Sequence, residues 1–356
     1  MGFGYKLEEY FEVFHITFLN DLATTIAISL CAAEIILGAA LLLGIRSKQV
    51  IWGLLAMIVF FTFLTFYSAA FDVVKNCGCF GDAIPLTPWQ SFFKDLVLLL
   101  MIAVLFTKSN EIKPIFQTKN VQTTALLIIT VLAFGFGIYT YNYLPIIDFL
   151  PYKIGANLPE GMRIPAGAVL DDYEITYQLK NKTTAEEKEM TDKDYLKTEI
   201  WKDESWEIIG EPVNKLLKKG FEPKIKDLKI SDSQGTDYTT ELIENPYYNL
   251  VIVAYKLDDV NTKAIADLNA LAIDAVQNYN IRTVLLTSTS AEDVEKFNED
   301  YKLAMEVFYA DAVPLKSMVR ANPGILLLKN GTVINKWHFH LRPTYDELEK
   351  KYFQRQ

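Results

Sequence analysis

Residues 122–144 read QTTALLIITVLAFGFGIYTYNYL, and residues 145–151, which follow, read PIIDFLP. The first stretch is 23 residues without a charge. As a helix it would extend about 34 Å, enough for a bilayer core of about 30 Å. Beyond Pro151 the composition turns to Lys, Glu, Asp and Thr. A membrane-spanning part therefore ends here and a soluble part begins. The charge distribution agrees, because residues 1–150 hold only 8 of the 35 Lys and Arg and 10 of the 44 Asp and Glu. The aromatic content of 13% excludes an intrinsically disordered chain. A net charge of −9 argues against a nucleic-acid partner.

Upstream of this boundary lie three further apolar runs. Residues 22–44 carry a single charge, Glu34, and residues 49–71 carry none. Residues 88–106 carry Lys94 and Asp95 near their start, with Trp89, Phe92 and Phe93 as an interfacial belt. Four transmembrane helices are expected, with the lipid bilayer as their partner. The link after the first has Arg46 and Lys48, and the link after the third has Lys108, Lys113 and Lys119 against Glu111. The loop of residues 72–87 has Lys75 against Asp72 and Asp82. Positive charge stays in the cytoplasm, so this loop and everything after the fourth helix face outward. Residues 1–21 then also lie outside. There Leu7, Tyr10, Phe11 and Phe14 fall at helical spacing opposite Glu8, Glu9 and Glu12, the pattern of an amphipathic helix on the outer surface. No apolar segment precedes them, so an upstream membrane helix is expected to be missing.

The soluble part starts with an irregular exit segment marked by Pro145, Pro151, Pro159 and Pro165. Residues 172–179 alternate like a strand, and residues 204–219 admit a helix. Residues 223–243 suggest a hairpin-like lead-in. From there the pattern is clearer. Residues 247–255 form a buried strand, 260–279 a helix and 282–289 a second buried strand. Residues 291–301 form a helix with Ser290 as N-cap, and 306–310 a short strand. Asn330-Gly331 joins residues 325–328 and 333–337 in a hairpin, and a helix over 343–353 closes the chain. This order predicts an α/β sheet covered on both faces. The domains are read as 1–150, an extension of 151–222, and 223–356.

Three cysteines exclude a disulfide framework. Cys31 reads as a small buried hydrophobe. Cys77 and Cys79 stand in Asn76-Cys77-Gly78-Cys79-Phe80-Gly81-Asp82 on the outward loop, a compartment that permits disulfides. One reading is a redox-active dithiol, and the other is a structural staple. Two thiols do not complete a metal site, and no metal is expected. Lys75 favours the thiolate and Asp82 opposes it. Glu34, ionisable at mid-helix, is a candidate for proton handling or an interhelical ion pair, with Lys94 as the partner named. His338 and His340 read as a solvated strand end.

Several of these runs carry a resemblance. Gly4 to Phe11, Glu34 with Gly38, Phe61-Thr62-Phe63-Leu64-Thr65, Cys77-Gly78-Cys79-Phe80-Gly81-Asp82 and the helix start from Trp89 to Lys94 resemble the DoxX-like family. They more closely resemble its branch related to the methylamine utilisation protein MauE. Residues from about 223 look like a thioredoxin-like domain, with Asn322-Pro323-Gly324 where that fold carries its cis-proline loop. The expected Cys-x-x-Cys after the strand ending at Tyr255 is replaced by Lys256-Leu257-Asp258-Asp259. The resemblance implies a four-helix transmembrane bundle fused to a degenerate thioredoxin-like domain. It implies a bacterial inner-membrane protein with a periplasmic C-terminal domain that supports maturation of exported proteins. Cys77 and Cys79 would exchange electrons with a periplasmic thiol protein or a membrane quinone, with Glu34, Asp82 and Lys94 assisting. Tyr255, Asn322 and Pro323 would contact a partner. The alternative is a non-enzymatic membrane-anchored scaffold with a structural Cys-Gly-Cys loop.

Overall fold

The computed structural model describes residues 2–74, 81, 83, 84, 86–169, 171–218 and 220–354. The chain divides into two compact units, one of Met1–Ala156 with Lys229–Gln356 and one of Asn157–Leu228.

In the first unit, helix α1 spans Gly2–Val13, and a 3-10 turn at Thr17–Leu22 leads into α2, Ala23–Leu42. Helices α3 (Ser47–Phe71), α4 (Pro88–Thr107) and α5 (Lys119–Asn142) follow. The four helices from α2 to α5 are long and apolar enough to cross a membrane. Helix α2 packs against α1, α3 and α5, and α3 packs against α4. The buried residues of α2 are Ala23, Ala27, Ala32 and Ala40, small side chains that let neighbouring helices approach closely. Large apolar side chains such as Trp52, Leu100, Leu127 and Leu132 stay exposed on the bundle, as a lipid-facing surface requires. Thr87 and Gln90 form a reciprocal capping box that starts α4, with Pro88 in its first turn. The helical spacing at the N-terminus is realised in α1. Its apolar face is covered by protein: Leu7 and Phe11 pack on Ala23 and Ala27, and Tyr10 packs on Phe61, Leu64 and Val74.

The second unit begins with a short helix α6, Leu158–Met162. Strands β1 (Asp172–Asn181) and β2 (Glu187–Thr191), a helical turn α7 (Asp192–Lys197) and strand β3 (Trp206–Lys218) complete it. The antiparallel sheet has the order β2-β1-β3. The stretch admitted as a helix at 204–219 is thus a strand. Its pairing with β1 runs from Asn181 opposite Trp206 to Asp172 opposite Lys218, and this ladder overrides the local helical spacing.

Returning to the first unit, α8 (Thr239–Ile243) occupies half of the expected lead-in hairpin, which reduces to a single bridge between Ser231 and Asp237. Strand β4 (Tyr248–Val253), helix α9 (Thr262–Tyr279), strand β5 (Arg282–Thr287), helix α10 (Ala291–Tyr301) and strand β6 (Glu306–Tyr309) alternate. Helix α11 (Ala312–Met318), strands β7 (Gly324–Lys329) and β8 (Thr332–His338) and helix α12 (Tyr345–Leu348) complete the chain. The sheet order is β6-β5-β4-β7-β8. The pairs β4–β5 and β5–β6 are parallel, while β4–β7 and β7–β8 are antiparallel. Leu250, Ile252, Ile265, Leu268, Leu285 and Ile325 lie in its core. Asn330 and Gly331 both take positive φ, 46° and 74°, as a two-residue hairpin turn requires. Ser290 caps α10 by accepting from the Asp293 amide.

The sheet is tied to the segment leaving α5. Gly155 donates to the Val333 carbonyl at 2.8 Å, and Val333 donates to that of Ala156 at 2.9 Å. The Lys336 ammonium, with its side chain 3% exposed, pairs with Asp148 at 2.7 Å. It also donates to the carbonyls of Met318 at 2.8 Å and Tyr152 at 3.4 Å. Burial lowers the Lys336 pKa, and Asp148 opposes that shift.

Candidate functional site

Cys77, Cys79 and Asp82 lie outside the described residues. The described residues on either side of them are held by packing and capping. On one side Val74 is buried against Tyr10, Phe61 and Leu64. On the other, the Thr87 capping box starts α4.

Below the loop the helices carry a polar seam. On α3, Thr65 and Ser68 are one turn apart, and on α4, Ser91 and Asp95 are one turn apart; all four are buried. The Tyr10 and Ser68 hydroxyls are 2.9 Å apart, which joins α1 to α3. The Thr65 hydroxyl lies 2.9 Å from Oδ2 of Asp95, which joins α3 to α4. It also lies 2.9 Å from the Phe61 carbonyl, one turn back. Lys94 pairs with the other oxygen of Asp95 at 3.0 Å. Thr65 and Asp95 each sit about 10 Å along their helix from the loop, so they meet at one depth.

Asp95, expected near headgroups, has a side chain only 2% exposed. The reason is packing: α3 lies against the face of α4 that bears Ser91 and Asp95, so Asp95 meets protein in place of water. Lys94, named from sequence as the partner of Glu34, pairs with Asp95. The charges that act on Glu34 are nevertheless those of Lys94 and Asp95, so the three groups share one electrostatic neighbourhood. Cys31 is a free thiol on an exposed face of α2. Sequence reasoning missed Thr65, Ser68 and Ser91. Their signal was present as hydroxyls at helical spacing inside otherwise apolar spans.

The remaining predicted residues gather at one end of the five-stranded sheet. The peptide bond Asn322–Pro323 is cis, and the Asn322 amide donates to the Lys256 carbonyl at 2.7 Å. This brings the end of β4 beside the turn before β7. The Tyr255 hydroxyl accepts from that of Tyr5 in α1 at 3.2 Å. Lys316 pairs with Glu8 at 3.2 Å and stands 4.5 Å from the Tyr5 ring centroid. Burial, with Tyr255 alongside, pushes the Tyr5 phenol well above its ordinary range. Burial also raises that of Tyr255.

The two histidines at the strand end differ, His340 being exposed and His338 buried. His338 is 2% exposed, because β8 turns its side chain inward. Its Nδ1 accepts the His340 amide at 3.2 Å, and the two rings stack at 4.8 Å. Burial and the neighbouring His340 depress the His338 pKa to about 4. The His340 ring donates to the Asn142 carbonyl at the end of α5, 2.8 Å away. Gly135, Tyr139, Asn142, Tyr143 and His340 line an open cavity of about 640 Å³ there.

No curated protein matches the chain. Residues 6–108 match the family model described as "Methylamine utilisation protein MauE". That span covers most of α1, all of α2 to α4, the Cys-Gly-Cys loop and every member of the polar seam, so this part of the chain is similar to MauE-type membrane proteins.

Proposed function

We propose that the chain is a multi-pass protein of the bacterial inner membrane, with its C-terminal domain in the periplasm. In this reading Cys77 and Cys79 cycle between dithiol and disulfide in support of exported-protein maturation. A thiolate of the pair attacks a disulfide of a periplasmic thiol protein and forms a mixed disulfide. The second cysteine then displaces the partner, which leaves as a dithiol with two electrons and both protons. The Cys77–Cys79 disulfide is returned to dithiol by a two-electron, two-proton donor such as a membrane quinol, which leaves as quinone.

One observation carries the reading: the buried Thr65–Asp95–Lys94 cluster joins the two helices that hold the cysteine loop. Thr65 has one hydroxyl proton and two acceptors at 2.9 Å, Phe61 O and Asp95 Oδ2. The cluster thus places a hydrogen-bonded ion pair inside the helix bundle next to the ends of the redox loop, where an ionisable group marks a functional site.

The test is a redox titration with thiol labelling in membranes, in a Cys31→Ala background. A two-electron couple is expected, lost in Cys77→Ser and in Cys79→Ser. Asp95→Asn, which breaks the ion pair with Lys94, should shift the midpoint of the couple. Thiols that never oxidise, or a disulfide that no quinol or thiol opens, would reject cycling.

The scaffold reading is favoured by a different observation, the engagement of Tyr255 by Tyr5 and of Lys316 by Glu8. Under it, a Cys77→Ser, Cys79→Ser double variant keeps full function.

A further inference from the structure

The sheet end at Tyr255 and Lys316 is closed by α1 through polar and aromatic contacts. The Tyr5 and Tyr255 rings meet edge-on, with centroids 6.0 Å apart and planes at 85°. The Lys316 ammonium stands over both rings, 4.5 Å from Tyr5 and 5.4 Å from Tyr255. The Arg320 guanidinium lies 5.5 Å from the Tyr5 ring. One helical turn after Tyr5, Glu8 meets the same Lys316. The sheet end thus presents cations and a phenol, and α1 presents a phenol followed by a carboxylate at i+3. The opposite face of α1, Leu7, Tyr10 and Phe11, is packed into the membrane bundle. The contacts described between its outer face and the sheet end are polar and ring contacts, and these are the ones a competing segment would replace.

We propose that this end of the soluble domain is a docking site for a protein segment bearing a tyrosine and, one helical turn on, a glutamate. Helix α1 occupies the site in cis, and an exported partner carrying that signature displaces it. This inference does not rest on dithiol cycling, and its test leaves Cys77 and Cys79 unchanged.

The probe is a fluorescent peptide of residues 2–13, titrated against the full chain in nanodiscs with empty nanodiscs subtracted. A tethered competitor acts at an effective concentration in the millimolar range, so the wild type should bind the peptide weakly. Tyr5→Ala with Glu8→Lys should free the site and tighten peptide binding at least tenfold. Adding Lys316→Glu should abolish that gain, and adding Lys316→Arg should keep it. Tyr5→Phe, which removes only the hydroxyl bond, should give a smaller gain of the same sign. Unchanged tryptophan emission confirms the fold of each variant. Equal binding to wild type and double variant, no binding to either, or a gain that survives Lys316→Glu would overturn the proposal.

Discussion

Replacing Asp148 by Asn keeps the side-chain volume and removes the charge that faces Lys336. The Lys336 side chain is 3% exposed, and its other contacts are the carbonyls of Met318 and Tyr152. Removing one partner of a buried pair costs about 3–5 kcal/mol. The loss has a ceiling, because Lys336 can shed its proton. From a reference pKa of about 10.4, neutralising a lysine costs about 4.6 kcal/mol at pH 7 and about 1.9 kcal/mol at pH 9. The sign follows from burial. The native state of the variant holds the lysine proton less tightly than the unfolded chain does, so its stability rises as pH rises toward the unfolded pKa. The wild type, with Asp148 opposing the shift, recovers less over the same range. Asp148→Asn should therefore lose about 3–4 kcal/mol at pH 7, and the deficit should shrink by about 2 kcal/mol at pH 9. The assay is a urea titration of the full chain in nanodiscs, read by emission of Trp337 in a background where the other tryptophans are phenylalanine. The double variant with Lys336→Met should be more stable than Asp148→Asn alone. A loss under about 1 kcal/mol at pH 7, or a deficit equal at both pH values, would refute the buried-latch argument.

Two more outcomes are expected. His338 has a native pKa of about 4, below its ordinary value of 6.5, so the unfolded chain binds more protons between those values. Stability of the soluble sheet should fall as pH drops from 6.5 toward 4, by on the order of 2 kcal/mol after screening, and His338→Gln should flatten that slope in parallel denaturant titrations. Gly44, at φ +67°, has no room for a side chain, since a Cβ there would lie 2.4 Å from the Lys113 carbonyl oxygen. Gly44→Ala should destabilise the bundle by about 1–3 kcal/mol, and an unchanged thermal midpoint in detergent would show that the turn yields freely.

The sequence by itself determined where the chain crosses a membrane and where it becomes a soluble α/β domain. Hydropathy over some twenty residues and the alternation along a strand are local sums, and tertiary contacts do not erase them. The spans at α2, α3 and α5 and the Asn330-Gly331 hairpin were legible for that reason. The strand β3 was not, because Lys-Leu-Leu-Lys-Lys spacing looks helical until β1 supplies a ladder. Asp95 reads as an interfacial charge until α3 covers it. His338 reads as a solvated strand end until the fold buries it, and nothing in the sequence sets Lys336 apart until the exit segment supplies Asp148. The pairs Lys336–Asp148 and Tyr5–Tyr255 lie 188 and 250 residues apart in sequence. No window along the chain contains both members of either pair. Which faces meet is decided by packing the whole unit, and that packing alone sets which polar groups are buried and what they touch.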